Sequence, residues 1–250
     1  MICKRIISVL TFSDGILYRT KRFNPDYIYT SNFLDFWWVD EIIALDISRN
    51  VTPETKKLFK EKIQLISKKC FVPLAAGGGI RSISDVDELF DLGVDKVVLN
   101  TQAIENPLFI TEVAKKYGSQ AVVVSIDALK STTDKEYRVV KNNGSERTEI
   151  SPVDWAMEAV KYGAGEIMIT SIIEDGSLNG YDKELSSSIV KGVNVPVLIS
   201  GGAGNWKHFE EGFLEIGADA VCTTNIYHFT EASMLNAKDF LSKKNIPVRI

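Results

Sequence analysis

The two halves of this chain repeat one another, and this internal repeat limits its fold more than any other feature. Residues 71–100 match residues 194–225, and both segments read as a strand, a glycine turn, a helix, a Gly-x-Asp step and a second strand. Residues 39–48 match 164–173, and residues 5–12 match 121–128, at similar offsets close to half the chain. Two similar halves with four strands each close naturally into an eight-stranded barrel.

Eight short apolar runs indicate the same architecture. They show little polar alternation, which is typical of parallel strands buried on both faces. Amphipathic segments with helical spacing lie between most of them, for example at 84–92 and 154–162. The pattern predicts an α/β fold with one (βα)8 barrel domain, a TIM barrel over residues 1–250, and the repeat disfavours the main alternative, a doubly wound open sheet. The runs are 6–10, 42–45, 72–76, 96–99, 121–126, 166–170, 195–200 and 220–222.

Composition excludes several classes of function. The net charge of -4 disfavours nucleic-acid binding, which needs a basic face. No apolar run approaches the ~20 residues that span a bilayer, and the N-terminus lacks a signal-peptide cleavage site, so we expect a cytoplasmic protein. Cys3, Cys70 and Cys222 are too widely spaced for a metal site and are interpreted as small apolar fillers. His208 is expected on a helix surface and His228 in a loop, and no metal or cofactor is implied.

Two segments interrupt the strand and helix pattern. Residues 18–35 are predicted to form a long polar and aromatic loop after strand 1, and residues 130–148 are predicted to contain a small hairpin after strand 5. Both belong to the C-terminal face of the barrel, where long loops usually serve binding or catalysis. We assign Trp37 and Trp38 to the buried face of the first helix, with a contact patch for a third protein as the alternative.

Two glycine turns point to anion binding. The turns at 77–79 and 201–204 follow strands 3 and 7, and glycine lets backbone amides approach an anion closely. Polar pairs at 100–101 and 224–225 follow strands 4 and 8. Symmetry therefore predicts two phosphate sites on opposite sides of one mouth, although such glycines also occur in tight turns without a ligand.

Asp127 ends strand 5 and is the candidate acid or base. A carboxylate that is partly desolvated at a barrel mouth can transfer protons, whereas an isolated aspartate at a strand end often only caps a loop. The repeat aligns Asp127 with Thr11, whose hydroxyl has far too high a pKa to replace a carboxylate. Other polar residues expected near the rim are Asp46, Ser48, Thr170, Asp175 and Ser200.

A set of motifs spread along the whole chain carries a family resemblance. The motifs are KRII (4–7), LDI (45–47), GGGIRS (77–82), DKV-x-x-NT (95–101), GSQAVVVSIDA (118–128), GAGEI-x-x-TS (163–171), EDG-x-x-x-GYD (174–182), ISGGAG (199–204) and HF (228–229). With them the chain resembles the cyclase subunit of imidazole glycerol phosphate synthase along its whole length. That resemblance implies a (βα)8 barrel without a cofactor, working with a glutaminase whose ammonia crosses the barrel and takes part in the cleavage and cyclisation of a bis-phosphorylated ribulosyl substrate of histidine biosynthesis.

The resemblance also implies roles for individual residues. Of the two family aspartates at strands 1 and 5, only the second is present, as Asp127, because Thr11 occupies the first position. A family lysine in the loop after strand 1 corresponds to Arg19, in a loop that is shorter than usual. The expected phosphate-binding residues are Gly79, Asn100 and Thr101 at one site and Asp175, Gly176, Gly202, Thr224 and Asn225 at the other, where the last pair replaces a small Ala-Ser.

At the opposite end of the barrel, the family's ammonia entrance is a ring of four charged residues. All four have matches at the N-terminal ends of strands 1, 2, 4 and 6, and Asp95 matches a residue that faces the glutaminase. From the sequence without the resemblance, the same four residues would be interpreted as a charged plug. The ring comprises Arg5, Glu41, Lys96 and Glu166.

An intact entrance below an altered mouth predicts a diverged member of the family. The leading hypothesis is a synthase subunit that receives ammonia from a glutaminase partner and passes it on, with a separate sugar amidotransferase, for acetamidino-sugar and lipopolysaccharide biosynthesis. Alternatives are a working cyclase in which Arg19, Asp46 or water takes over the role lost at Thr11, a non-catalytic channel subunit, and a half-barrel type sugar isomerase, which the intact entrance disfavours.

Overall fold

The predicted eight-stranded barrel is confirmed. A computed structural model describes residues 3–29, 38–224 and 233–249. Eight parallel strands pair in sequence order around the barrel, and β10 closes it by pairing with β7. Prolines before two of the strands shorten them relative to the apolar runs. The barrel strands are β1 (Arg5–Ser13), β4 (Glu41–Asp46), β5 (Leu74–Gly77), β6 (Lys96–Leu99), β7 (Val122–Lys130), β10 (Glu166–Ser171), β11 (Val197–Ser200) and β12 (Ala220–Thr223).

Helices between these strands cover the outside of the barrel, and local capping sets where they begin. Thr52 and Ser82 each cap a helix start by accepting a hydrogen bond from the third helical amide. The amphipathic segments predicted at 84–92 and 154–162 are helical and bury their apolar faces. The helices are α1 (Pro53–Lys69), α2 (Ile83–Asp91), α3 (Thr101–Glu105), α4 (Leu108–Tyr117), α5 (Pro152–Tyr162), α6 (Lys183–Gly192), α7 (Trp206–Glu211) and α8 (Ser233–Lys243).

The strands bury both of their faces because alternate residues point outward and inward. Outward side chains such as Ile6 and Ile42 pack under the helices in the larger apolar cluster. Inward side chains form a separate cluster along the barrel axis, which includes Ile7, Ile43 and Met168. The runs therefore lack polar alternation, as expected for a parallel barrel.

Two hairpins extend from the mouth of the barrel. Hairpin 1 consists of β2 (Ile16–Lys21) and β3 (Asn24–Ile28), so the prediction of a loop over residues 18–35 was wrong for its described part. Its two-residue turn, Arg22 and Phe23, has positive φ in both residues without a glycine, which hides the usual hairpin signal. Hairpin 2, β8 (Tyr137–Lys141) and β9 (Glu146–Arg147), confirms the hairpin predicted within residues 130–148.

Several smaller predictions need correction. Trp38 lies in a turn before β4 and is 42% exposed, so it does not belong to a buried helix face, and Trp37 and His228 lie outside the described residues. Cys3 is exposed and fills no core, whereas Cys222 is buried. His208 is on α7 as expected but only half-exposed. No helix in the described ranges has the length and apolar character needed to cross a membrane.

A buried ion pair ties the C-terminal helix to the barrel floor. Lys238 Nζ on α8 lies 2.6 Å from Asp40 Oδ1, and the two side chains are 5% and 7% exposed. Asp40 Oδ2 also accepts a hydrogen bond from the Ile6 amide at 2.8 Å. Removing the lysine would leave a buried carboxylate with one partner fewer, which costs more than the loss of an exposed pair.

We therefore expect Lys238→Met to lower the free energy of unfolding by about 3 kcal/mol. The matched control on the same helix is Lys243→Met, which removes an exposed pair with Asp239 and should cost less than about 1 kcal/mol. Urea denaturation at neutral pH measures both. Equal losses in the two variants would contradict the assignment of a structural role to the buried pair.

Candidate functional site

Four charged side chains form a closed ring across the barrel floor. Arg5 Nη1 lies 2.8 Å from Glu41 and 2.9 Å from Glu166, and Lys96 Nζ lies 2.8 Å and 3.0 Å from the same two carboxylates. Each cation therefore bridges both anions, and the ring has no net charge. Desolvation opposes a charged Arg5, but Glu166 and Glu41 outweigh it and raise the guanidinium pKa. Mutual pairing offsets the cost of burying four charges.

Above the ring, the barrel axis is lined by apolar side chains. Because every second strand residue faces inward, β1 presents Arg5 to the floor, then Ile7 and Val9 to the axis, and Thr11 to the mouth. The ring and Thr11 are therefore about 20 Å apart along the strand. The inner apolar cluster comprises Ile7, Val9, Ile43, Ala75, Val98, Val123, Met168, Leu198, Ala220 and Cys222.

The C-terminal face contains a cavity of about 240 Å³. Its base is apolar, and its walls come from the ends of the strands and the following loops. The tip of each hairpin reaches it, through Phe23 and through Asn142 and Asn143. Gly144 packs against Phe23, so that a Cβ there would lie 3.1 Å from the ring. The two hairpins therefore meet over the cavity.

Asp127 has the properties of a proton-transferring carboxylate. It lines the cavity half-buried, Asn100 Nδ2 donates a hydrogen bond to its Oδ2 at 2.7 Å, and Ser125 Oγ lies 3.5 Å from its Oδ1. Removal from solvent raises the pKa of Asp127 to about 7, and the charge of Asp175 adds to this rise against the two hydrogen bonds. A carboxyl group with this pKa can act as acid or base near neutral pH.

Thr11 lines the same cavity, but its hydroxyl has a structural partner. Thr11 Oγ1 donates a 2.5 Å hydrogen bond to the carbonyl oxygen of Tyr18 in hairpin 1. The side chain is 7% exposed. Two other carboxylates, Asp46 and Asp175, also line the cavity, and burial raises the pKa of both. Asp46 Oδ1 accepts from the Ser48 amide at 2.9 Å.

Asp175 anchors hairpin 1 to the loop after β10. Its two carboxylate oxygens accept hydrogen bonds from Thr20 Oγ1 at 3.0 Å and from the Phe23 amide at 2.9 Å. The adjacent Gly176 is packed so closely that a Cβ would meet the Thr20 carbonyl oxygen at 2.5 Å. Arg19 does not line the cavity, because its guanidinium pairs with Asp26 and lies over the Tyr27 ring.

The structure brings some of the predicted phosphate residues together and leaves others apart. Gly79, Asn100, Thr101, Asp175 and Thr224 all line the cavity. The Asn100 side-chain oxygen is buried without a hydrogen-bond partner. Outside the lining lie Gly176 and Gly202, where a Cβ on Gly202 would meet the Gly180 carbonyl oxygen at 1.9 Å, and Asn225 is not among the described residues.

Sequence reasoning missed two cations of the cavity wall. Arg49 and Arg81 follow β4 and β5 and line the cavity beside Gly79. Arg49 donates to the Asn24 side chain of hairpin 1 at 2.9 Å. The sequence signal that could have identified them is their position, since Arg49 follows a strand end and Arg81 follows a glycine turn. Within the part of the chain that the structure describes, no three His, Cys, Asp or Glu side chains could share a metal ion.

The fold and site define a class: (βα)8 barrels with a neutral ring of charges at the floor and a cavity at the mouth lined by carboxylates, glycine turns and arginines. The model of a family described as "Histidine biosynthesis protein" matches residues 11–233, and the chain belongs to that family. Relatives from Pelodictyon phaeoclathratiforme, Chlorobium limicola and Chlorobium phaeovibrioides are each named imidazole glycerol phosphate synthase subunit HisF. Each is 38% identical over 255 aligned positions, covering all of both chains.

The pKa of Asp127 can be tested directly. Asn100→Ala should raise the pKa of Asp127 above about 7, because it removes a hydrogen bond that stabilises the charged carboxylate. Gln102→Ala is the control, since Gln102 lines the cavity without a hydrogen bond to Asp127. The carboxyl ¹³C shift followed by NMR against pH, assigned with Asp127→Asn, measures the value. A wild-type pKa near 4 would contradict the desolvated site.

The same shift predicts how stability depends on pH. The folded state binds the Asp127 proton more tightly than the unfolded state, so this group lowers stability as the pH rises from about 4 to about 7. Asp127→Asn removes this contribution and should therefore be more stable than wild type above pH 7, as thermal unfolding at two pH values would show.

Proposed function

We propose that this chain is the synthase subunit of a glutamine-dependent amidotransferase complex. It receives ammonia from a glutaminase partner at the barrel floor and delivers it at the mouth, for the synthesis of acetamidino sugars of surface polysaccharides with a separate amidotransferase. The observation that carries the proposal is the closed Arg5, Glu41, Lys96 and Glu166 ring below an apolar axis, at the far end from a mouth with Thr11 in place of a carboxylate.

The floor suits an uncharged nitrogen donor. The ring is neutral as a whole and the layer directly above it is an apolar cluster, which solvates an ion poorly, so ammonia can cross more easily than ammonium. Opening needs only one cation to leave its two carboxylates. Arg5 is the most exposed member, with 24% of its side chain accessible, and the two glutamates are 2% and 11% exposed. The mobile element is therefore expected to be a cation.

The floor also offers a surface for the glutaminase partner. Phe71, three residues before the start of β5, is 86% exposed, and the exposed Asp95 directly precedes β6 at the same end of the barrel. The Asp95 carboxylate accepts a hydrogen bond from the Leu74 amide, which fixes its position beside Lys96. Aromatic side chains are enriched at the centres of protein interfaces and charged side chains are depleted there, so Phe71 is the expected anchor and Asp95 a contact at the rim.

A second candidate is the cyclase reaction of histidine biosynthesis, which yields imidazole glycerol phosphate and an aminoimidazole carboxamide ribotide. The specific observation in its favour is that Asp46 and Asp175 line the mouth together with Asp127. Either could serve as the second acid. Asp46 is the better placed, because Asp175 uses both oxygens to hold hairpin 1.

A cyclase assay with the bis-phosphorylated ribulosyl substrate and ammonium salt separates the two candidates. Loss of one acid or base costs about 100- to 10,000-fold in rate, so wild-type turnover should fall below that of the Chlorobium limicola relative by this factor. Turnover at the relative's rate would refute the proposal that the mouth lacks one acid or base. If Asp46→Asn then abolished that turnover, Asp46 would be the replacement acid.

Substitution of Phe71 tests the docking face. Phe71→Glu should weaken binding of the glutaminase subunit encoded in the same genome by about tenfold or more, because it places a charge in an apolar contact. Leu108→Glu is the matched control, since Leu108 is 66% exposed at the start of α4, towards the mouth. Isothermal titration calorimetry measures both affinities. If the two variants bound the glutaminase with equal affinity, the floor would not be the docking face.

A further inference from the structure

Three exposed cations are grouped at the tip of hairpin 1. Lys21 and Arg22 line a shallow depression beside the turn, together with Asn24. Arg49, from the loop after β4, donates a hydrogen bond to the Asn24 side chain at 2.9 Å. None of these cations forms an ion pair with a carboxylate of the described residues. We call Lys21, Arg22 and Arg49 the tip cations.

The carboxylates close to the tip do not balance this charge. Asp26 lines the same depression, but it pairs with Arg19, so the two together are neutral. Asp175 is buried beneath the turn, where its oxygens accept hydrogen bonds from Thr20 and from the Phe23 amide. Even with the charge of Asp175 included, positive charge remains in excess at the tip. An anion in solution is therefore attracted to this part of the rim.

The turn itself keeps two side chains where glycine would fit more easily. Arg22 and Phe23 have φ values of 51° and 62°, a region that glycine adopts freely and bulky residues rarely enter. The Phe23 side chain lines the cavity, whereas the Arg22 side chain lies at the depression outside it. Backbone strain of this kind tends to persist where the side chains have a function. The strained turn therefore favours a role for Arg22 at the tip.

Arg49 connects the tip with the cavity. Its side chain belongs to the cavity lining, and its guanidinium group reaches Asn24 at the tip. Ser48, Asp46 and Asp127 also line the cavity, and such hydroxyl and carboxylate groups can bind the hydroxyl groups of a sugar. A single molecule can therefore place a sugar in the cavity and an anionic group on the tip cations.

We propose that the tip cations bind the diphosphate of a nucleoside diphosphate sugar whose sugar ring lies in the cavity. Guanidinium and ammonium groups bind phosphate oxygens through charge-assisted hydrogen bonds, and a diphosphate has enough oxygens for all three cations. The site is additional to the phosphate positions expected at Gly79 and Gly176 and excludes neither. The inference names the substrate class of the mouth and rests on the proposed function, in which the nitrogen is destined for a sugar.

Calorimetric titration of the full chain with UDP-N-acetylglucosamine and with free N-acetylglucosamine tests the proposal. The nucleotide sugar should bind at least about tenfold more tightly, because the free sugar makes no charge-assisted hydrogen bonds with the tip cations. Arg22→Gly should weaken binding of the nucleotide sugar about tenfold without lowering the melting temperature, because glycine suits the positive φ. Arg49→Gln should weaken it to a similar extent. Arg147→Gln, which alters an exposed arginine of hairpin 2, is the matched control and should change nothing.

Two results would overturn the proposal. One is a nucleotide sugar that binds no more tightly than the free sugar, and the other is equal affinity of Arg22→Gly and Arg147→Gln for the nucleotide sugar. An acidic protein surface is the alternative ligand. It would be indicated by a polyglutamate peptide that binds wild type and not Arg22→Gly, while the nucleotide sugar binds neither, and this result would also overturn the proposal.

The test is independent of the nitrogen relay. Neither titration involves ammonia or the glutaminase, so a negative result leaves the proposed function to be judged by the cyclase assay and the Phe71→Glu titration. Conversely, if those experiments contradict the proposed function while the nucleotide sugar still binds through Arg22 and Arg49, the tip site stands and the nitrogen relay does not.

Discussion

The alternation of side chains along a β-strand is the constraint on which the rest of this molecule depends. In each barrel strand every second residue faces the axis, so a few positions decide the floor, the middle and the mouth. In β1 these are Arg5, Ile7, Val9 and Thr11. Charges can be buried at the floor only because the registers of four strands bring two cations and two anions to one level. A shift of any one strand by one residue would leave buried charges without partners.

The twofold repeat describes the backbone better than it describes the chemistry. Both halves keep the strand, glycine turn and helix, because these are requirements of barrel closure and tight turns. Residues that face the cavity do not all repeat: Asp127 corresponds to Thr11, and Arg49 corresponds to Glu174, which lies outside the cavity lining. Selection on packing acts on both halves alike, whereas a bound ligand makes different contacts with each half. Departures from the repeat therefore mark functional positions.

The sequence predicted the features that follow from periodicity and failed on those that depend on long-range contacts. Eight apolar runs together with the internal repeat were sufficient for the barrel, and hairpin 2 was expected within the segment 130–148 that interrupts the pattern. Hairpin 1 was not predicted because Arg22 and Phe23 adopt positive φ without a glycine in the turn. That turn is held by Asp175, which is distant in sequence. The Lys238 and Asp40 pair joins residues that nothing local relates.

Candidate site residues show the same division. Asp127 could be selected from its place at a strand end, and the ring at the floor from a resemblance to a known family. Two contacts of hairpin 1 could not be predicted, because the hairpin itself was not predicted. Asp175 accepts hydrogen bonds from Thr20 and Phe23, and Arg19 pairs with Asp26. Loops carry the least periodic information, and they supply much of the mouth.

The residue at position 11 and the course of hairpin 1 are structurally coupled. The Thr11 hydroxyl donates a hydrogen bond to the carbonyl oxygen of Tyr18, which fixes the first strand of the hairpin against β1. An ionised carboxylate at this position has no proton to donate and would face that carbonyl oxygen with like partial charge. Thr11→Asp would therefore add an acid at the end of β1 and at the same time displace the hairpin whose turn places Phe23 at the cavity. A carboxylate can occupy position 11 only together with a different path for residues 16–28, so the chemistry of this strand end and the course of the loop are linked.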